Sequence, residues 1–240
     1  MRPTRLAGLS PLWQLSHISL AHDGESAMFE KMPDSIGEAL RNQRAGLGRI
    51  VFYQLSNPFD WSPMTVKSSA FGEDRTIPIQ YTADGAGLSP PLEWTRAPER
   101  AQSMVVIVED ADSPTPQPLV HAIVVNLEAA QTHIVEGALN SPDHPGVGLQ
   151  TGRNSYLMRA WLPPDPPPGH GIHRYVFQVF ALDGGAEFSA SPGRHEVINA
   201  IANRAVAAGY LVGTYERARR EPVESEGQID MAITGGATLV

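Results

Sequence analysis

The chain has no cysteine, no excess of basic residues and no uninterrupted apolar run of membrane-spanning length, and each absence excludes a class of protein. Without cysteine, neither disulfides nor thiolate zinc sites contribute, so the fold does not depend on an oxidising compartment. A formal charge of −8 lacks the basic footprint that nucleic-acid phosphates require, and it disfavours adsorption to anionic lipid. The apolar stretch Leu6 to Leu20 is interrupted by Pro11, Gln14, Ser16 and His17, which excludes a transmembrane span. Arg2 and Arg5 precede that broken stretch without a clear small-x-small cleavage site. Residues 1–27 therefore read as a disordered extension on a cytoplasmic protein, with export through a weak signal as the alternative and Met28 as a second candidate start. Also missing are an internal repeat, a Gly-x-Ser-x-Gly nucleophile motif, a Gly-rich nucleotide loop and any clustered His-x(3)-His metal spacing.

What is present is a β-type pattern. A length of 240 residues suffices for one sizeable core, and 22 glycines with 21 prolines favour a loop-rich β architecture over a helical bundle. Short apolar runs between Gly, Pro, Asp and Asn predict strands at Met64–Ser68, Ile77–Tyr81, Ser103–Glu109, Val120–Leu127, Tyr156–Trp161, His173–Leu182 and Tyr210–Tyr215. Seven such strands suggest a sandwich. Two helices are expected. One is an amphipathic helix over Pro33–Leu47, opened by a capping box of Ser35 and Glu38, which packs on its own sheet or, alternatively, on a second copy in a homodimer. The other is the Ala-rich segment Glu196–Ala208, ending at Gly209. The organisation that follows is an extension over 1–27, a helix and linker over 28–63, a β domain over 64–217 and a flexible tail over 218–240.

Polar residues gather at the predicted strand ends. Asp110 and Asp112 follow one strand, His121 opens the next, and a Gly-rich turn, Gly169-His170-Gly171, leads into His173, Arg174 and Tyr175. Strict alternation puts His121 on the face of Ile123, Val125 and Leu127, and His173 and Tyr175 on the face of Phe177 and Val179. Arg174 then faces the other way, where it needs a carboxylate partner. Each residue also has a structural reading: an Asx-turn for the two aspartates, a core histidine bonded to a carbonyl for His121, a core-edge cover for Trp161.

Taken in order, Asp110-Ala111-Asp112-Ser113-Pro114, His121 to Asn126, Gly152-Arg153-Asn154-Ser155 and the Pro-Pro-x-Gly-x-Gly-x-His-Arg-Tyr run ending at Tyr175 resemble the phosphatidylethanolamine-binding proteins. The resemblance runs from about Thr65 to Tyr215 and is strongest to the bacterial, Raf kinase inhibitor-like subgroup. It implies a mostly β fold, an antiparallel β-sandwich with Greek-key character, and a small anion pocket for phosphate-bearing headgroups. By the same resemblance Asp110, Asp112, His121, His173 and Tyr175 belong to the pocket, Trp161 forms an aromatic wall, Pro167 and Gly169 shape the adjoining loop, and Pro114 and Arg174 are structural. The chain departs from the family pattern at Ala111, where Pro is usual, in the Pro163-Pro164-Asp165-Pro166 loop, where Gly is common, and at Pro118, where animal members carry Glu.

A zwitterionic headgroup suits such a constellation, because phosphate needs donors from His, Tyr and backbone N–H groups while an ammonium needs carboxylates. Alternatively, one aspartate of the pair is protonated and donates to the phosphate itself. The expected protein is a cofactor-free, metal-free, non-catalytic binder of a small phosphorylated or zwitterionic ligand. The alternatives are a kinase- or protease-inhibitory module using the pocket rim, and a metal-dependent hydrolase or lyase.

Overall fold

The protein, seen in a computed structural model, is described over residues 34–55, 61–139, 141, 146–184 and 187–217. The proposed extension over 1–27 and tail over 218–240 lie outside these residues. In chain order the elements are α1 (Asp34–Leu40), α2 (Val51–Leu55), β1 (Ser62–Pro63), β2 (Val66–Lys67), β3 (Arg75–Thr76), β4 (Leu92–Trp94), β5 (Ala101–Asp110), β6 (Leu119–Glu128), β7 (His133–Ile134), β8 (His173–Asp183), α3 (Arg194–Arg204) and β9 (Ala205–Tyr215).

The main sheet runs β1-β9-β8-β5-β6, with its four long strands antiparallel and with β1 and β3 added in parallel to β9. A second antiparallel sheet, β2-β4-β7, faces it. The long strands are buried on both faces, which explains why β5 and β8 read as nearly continuous apolar runs. Met104, Val106, Val108, Tyr175, Phe177 and Val179 fill the space between the sheets. Val105, Ile107, Ile123, Phe180 and Leu182 pack on the opposite face against Val51 of α2 and Val197 and Ile201 of α3. The result is the expected mostly β sandwich, with its outer face covered by helices.

Four expected elements differ. The first helix stops at Leu40 rather than Leu47: the N–H groups of Arg41 and Gln43 turn back to the carbonyls of Glu38 and Leu40, and those of Ala45 and Gly46 pair with the carbonyls of Ser113 and Ala111 instead of continuing the helix. Ile79–Tyr81 is a 3-10 turn following Pro78, and the pairing residues lie just ahead at Arg75–Thr76. Tyr156–Trp161 is a loop: the Asn154 side chain accepts from the N–H groups of Tyr156 and Met158 and donates to the Ala160 carbonyl, an alternative to sheet pairing. Finally, the late helix ends at Arg204, and the Ala-rich continuation is the first half of β9. There Ala207 pairs with Ala181 and Ala208 with Phe180, so tertiary pairing overrides the helical propensity of alanine. Gly209 is not a helix cap: it sits in the strand, where a Cβ would stand 2.0 Å from the Met64 carbonyl oxygen.

Leu157, at φ 64° and 76% exposed, carries a branched side chain in the left-handed region with little burial in return. Leu157→Gly is expected to raise stability by about 1 kcal/mol, an increase of a few degrees in thermal midpoint. A lower midpoint for the variant would mean that the leucine makes a compensating contact.

Candidate functional site

The polar strand ends meet at one end of the main sheet. Asp110 closes β5 and pairs in register with Tyr175 near the start of β8, while His173 pairs with Tyr215 at the end of β9. His121 arrives by a different device. Along β6 the register passes from Val120 opposite Glu109 to Ala122 opposite Val108, so His121 is the extra residue of a β-bulge. A bulge re-aims its side chain. His121 is thereby turned toward Tyr175 and Trp161, at ring-centroid distances of 5.0 and 6.1 Å, both of which belong to the core between the sheets. Ile123 and Val125 point to the opposite face, so the expectation that His121 shares their side is corrected by the bulge.

His121 is fixed twice over. Its Nδ1–H donates to the Leu162 carbonyl at 2.6 Å, and its own carbonyl accepts the Leu162 N–H at 2.8 Å. These two bonds tie the Trp161–Leu162 segment to β6 and bring the indole to the site. Because a carbonyl can only accept, Nδ1 carries the proton, and neutral His121 presents Nε2 as a bare lone pair. Burial pulls its pKa below the usual histidine value, an effect only partly offset by the Asp110 charge and the Leu162 bond. Burial, with the charge of Asp110, likewise pushes the Tyr175 phenol well above its ordinary pKa.

Asp110 and Asp112, adjacent in the motif, do different work. Asp110 Oδ1 accepts the Asp112 N–H at 2.8 Å, forming an Asx-turn, and its Oδ2 faces His173 Nδ1 at 2.7 Å. Asp112 turns away and holds Arg174, taking its backbone N–H, Nε and Nη2 at 2.9, 2.7 and 2.7 Å, with Arg44 Nη1 at 3.2 Å. Burial raises the Asp112 pKa, but these bonds and the Arg174 charge outweigh it and hold the carboxyl below its usual range. Asp112 is thus an ionised partner of two guanidinium groups, which removes it from the protonated-aspartate alternative.

The residue the sequence reading passed over is His170. It is fully buried, accepts from His173 Nε2 at 2.6 Å through Nδ1, and donates from Nε2 to the Leu40 carbonyl at 2.9 Å. The chain Leu40 C=O, His170, His173, Asp110 contains three hydrogen bonds and so requires three protons, whereas two neutral imidazoles and a carboxylate bring only two. The extra proton lies between His173 and Asp110. His170 stays neutral, its pKa lowered by burial and then by the His173 charge. The signal in the sequence was its place between Gly169 and Gly171, both at positive φ, where backbone alone holds an imidazole against its neighbours.

Of the other candidates, Pro167 and Gly169 are buried in the loop under α1, with the His170 N–H bonded to the Pro167 carbonyl. Pro114 follows Ser113, whose hydroxyl accepts the Leu119 N–H and braces the entry to β6. Asp165, on the far side of the same loop, pairs with Arg217, which also forms a bidentate pair with Asp84 at 2.9 and 2.6 Å. Asp110, Asp112, His121, Trp161, His173 and Tyr175 are all 4% exposed or less. Among the described residues no three His, Asp or Glu side chains gather as metal ligands, and no helix is long and apolar enough to cross a membrane.

Three polar atoms at the centre of this cluster lack a hydrogen-bonding partner: His121 Nε2, Tyr175 Oη and Trp161 Nε1. An unsatisfied buried polar atom costs on the order of 1–3 kcal/mol. The three lie on adjoining rings, with His121 next to both Tyr175 and Trp161.

The chain is thus a mostly β sandwich that carries a buried Asp, His, Tyr and Trp cluster where β5 ends and β6 and β8 begin. Residues 67–216 match the sequence profile of phosphatidylethanolamine-binding proteins, and the chain belongs to that family. A UPF0098 protein of Pyrococcus abyssi is 35% identical over 158 residues, covering 64% of this chain and 86% of the relative. A UPF0098 protein of Chlamydia trachomatis is 33% identical over 158 residues, covering 64% and 99%. Among solved structures, a phosphatidylethanolamine-binding protein homologue from Chlamydia trachomatis superposes at TM-score 0.58 with 32% identity, covering 65% of this chain and 98% of its own. YbcL of E. coli, described as a member of the mammalian PEBP family, superposes at 0.59 with 25% identity, covering 65% and 99%. The profile match begins after α1 and α2, which are thus additional to the family domain.

Proposed function

We propose that this protein binds, without catalysis, a small phosphate-bearing or zwitterionic headgroup of the phosphoethanolamine kind at His121, Tyr175 and Trp161, with Asp110 and His173 bracing the pocket. The observation that carries this reading is the set of three buried, unpartnered polar atoms on adjoining rings. The Tyr175 hydroxyl and the Trp161 indole N–H are buried donors that an accepting anion would satisfy. An anion at His121 meets a lone pair unless Nε2 gains a proton, so binding a phosphate dianion takes up one proton.

The linkage has a definite sign. The complex holds one more proton than the free protein and dianion together, so affinity falls as pH rises, by up to about tenfold per unit. A backbone-amide NMR titration with O-phosphorylethanolamine, and in parallel with inorganic phosphate, across pH 7 to 8.5 tests this. Saturable shifts around His121 and Tyr175 that weaken with rising pH are expected. An affinity independent of pH would refute the His121 contact, and an absence of saturable shifts would refute the pocket.

A further inference from the structure

The site is buried in this structure, and α1 lies on the Pro167–Gly171 loop, whose His170 leads to it through His173. Gly37 packs so closely on the Pro167–Gly171 loop that a Cβ there would stand 2.0 Å from the Pro168 carbonyl oxygen. The Leu40 carbonyl at the end of α1 accepts from His170, Arg41 donates to the Gly169 carbonyl at 3.1 Å, and Arg44 donates to the carbonyls of Ile172 and His170 at 2.7 and 3.1 Å. From Leu40 inward the side chains form one row. His170 and His173 have ring centroids 4.7 Å apart, His173 and Tyr175 6.4 Å, Tyr175 and His121 5.0 Å.

What holds α1 in place is almost wholly polar. Ser35, Glu38 and Ala39 are exposed, Ile36 is 43% exposed, and Gly37, which has no side chain, is the buried residue of the helix. A few residues later the grip changes character, for Ile50 and Val51 are fully buried in the core. Between the two stretches lie Gly46, at φ 92°, and Gly48, with open space around both Cβ positions. The chain is already pinned ahead of that turn, by the Ala45 N–H on the Ser113 carbonyl at 3.0 Å and the Gly46 N–H on the Ala111 carbonyl at 2.7 Å, so residues 34–44, with few apolar contacts, form a segment able to open locally.

We propose that residues 34–44 are a built-in lid: α1 holds the His170 loop closed beside the pocket, and the headgroup enters when α1 lifts away ahead of Ala45 and Gly46, whose N–H groups stay bonded to the carbonyls of Ser113 and Ala111. This rests on the pocket reading above and adds its regulation. The fold supplies the closing element from outside the family domain, since the profile match starts at residue 67. With the lid closed, the apparent affinity is the intrinsic affinity multiplied by the fraction of open molecules. Weakening the polar latch raises that fraction without touching Tyr175, His121 or Trp161.

The experiment compares the full chain with Arg41→Ala/Arg44→Ala, each titrated with O-phosphorylethanolamine, and follows amide hydrogen exchange over residues 37–44. The double variant is expected to bind about tenfold more tightly. In the unaltered protein, saturating ligand is expected to speed exchange over residues 37–44 at least tenfold, a readout that does not depend on how the variant folds. Equal affinities with lid exchange unchanged by ligand would overturn the lid while leaving the pocket standing. Binding by neither protein would overturn the pocket reading, and the lid with it.

Discussion

Replacing Glu109 with alanine is expected to lower the free energy of unfolding by about 3 kcal/mol, a drop of roughly 9 °C in thermal midpoint. The carboxylate is fully buried on the helix-covered face of the main sheet. Its Oε2 accepts the Val51 N–H at 2.8 Å and the Gln178 amide at 2.9 Å, and its Oε1 accepts Arg194 Nε at 2.7 Å. Gln178 passes the arrangement on by accepting the Phe52 N–H at 2.7 Å. The free N–H groups at the start of α2 are therefore satisfied from the sheet rather than by a local capping side chain. Alanine leaves the Val51 N–H without an acceptor and Arg194 without its counter-charge, although Arg194 keeps the Arg49 carbonyl at 2.8 Å. Urea and thermal denaturation measure the loss, and Glu109→Gln, which keeps one acceptor, is expected to lose less. A change under 1 kcal/mol in the alanine variant would mean that α2 is held by apolar packing alone.

His121→Ala is expected to weaken binding of O-phosphorylethanolamine about thirtyfold, equivalent to about 2 kcal/mol, and to abolish the pH dependence of what binding remains. Both effects follow from one atom, because Nε2 is the site's proton acceptor and Nδ1 is committed to Leu162. The variant also frees the Leu162 carbonyl, so its fold is checked by the dispersion of its NMR spectrum before titration. Calorimetry at two pH values provides the measurement. An unchanged affinity in a folded variant would remove His121 from the pocket.

The parts of this molecule legible in its sequence are those governed by local pattern. The strands β5, β6 and β8 are long, apolar and bounded by turn residues, and the polar residues at their ends could be read as one cluster because strand ends share an edge. The first half of β9 was not legible, since Ala205 to Ala208 carry a helical preference that only pairing with β8 overrules. Tyr156–Trp161 reads as a strand by composition and is a loop because one side chain, Asn154, satisfies its backbone. Within the site, the family pattern named Asp110 and Asp112 together, yet only the fold separates a carboxylate facing His173 from one locked to Arg174 and Arg44. No local periodicity singles out His170 and Glu109, for the bonds that tie them to the N-terminal segment reach across 130 and 58 residues, a distance over which such a pattern carries no information.

The extra residue at His121 makes the site and the hairpin register a single heritable trait. Deleting the one residue of β6 between Val120 and Ala122 would let the ladder with β5 run evenly from Val108 to Glu109, leaving the irregularity between Met104 and Val106. The imidazole, however, would be gone or turned with its neighbours to the other face, because a shift of one residue exchanges the two sides of a strand. Descendants that lose the pocket by this route would keep the sandwich intact. In aligned relatives, a one-residue gap at this point would mark the loss of the proposed pocket before any change in its other residues.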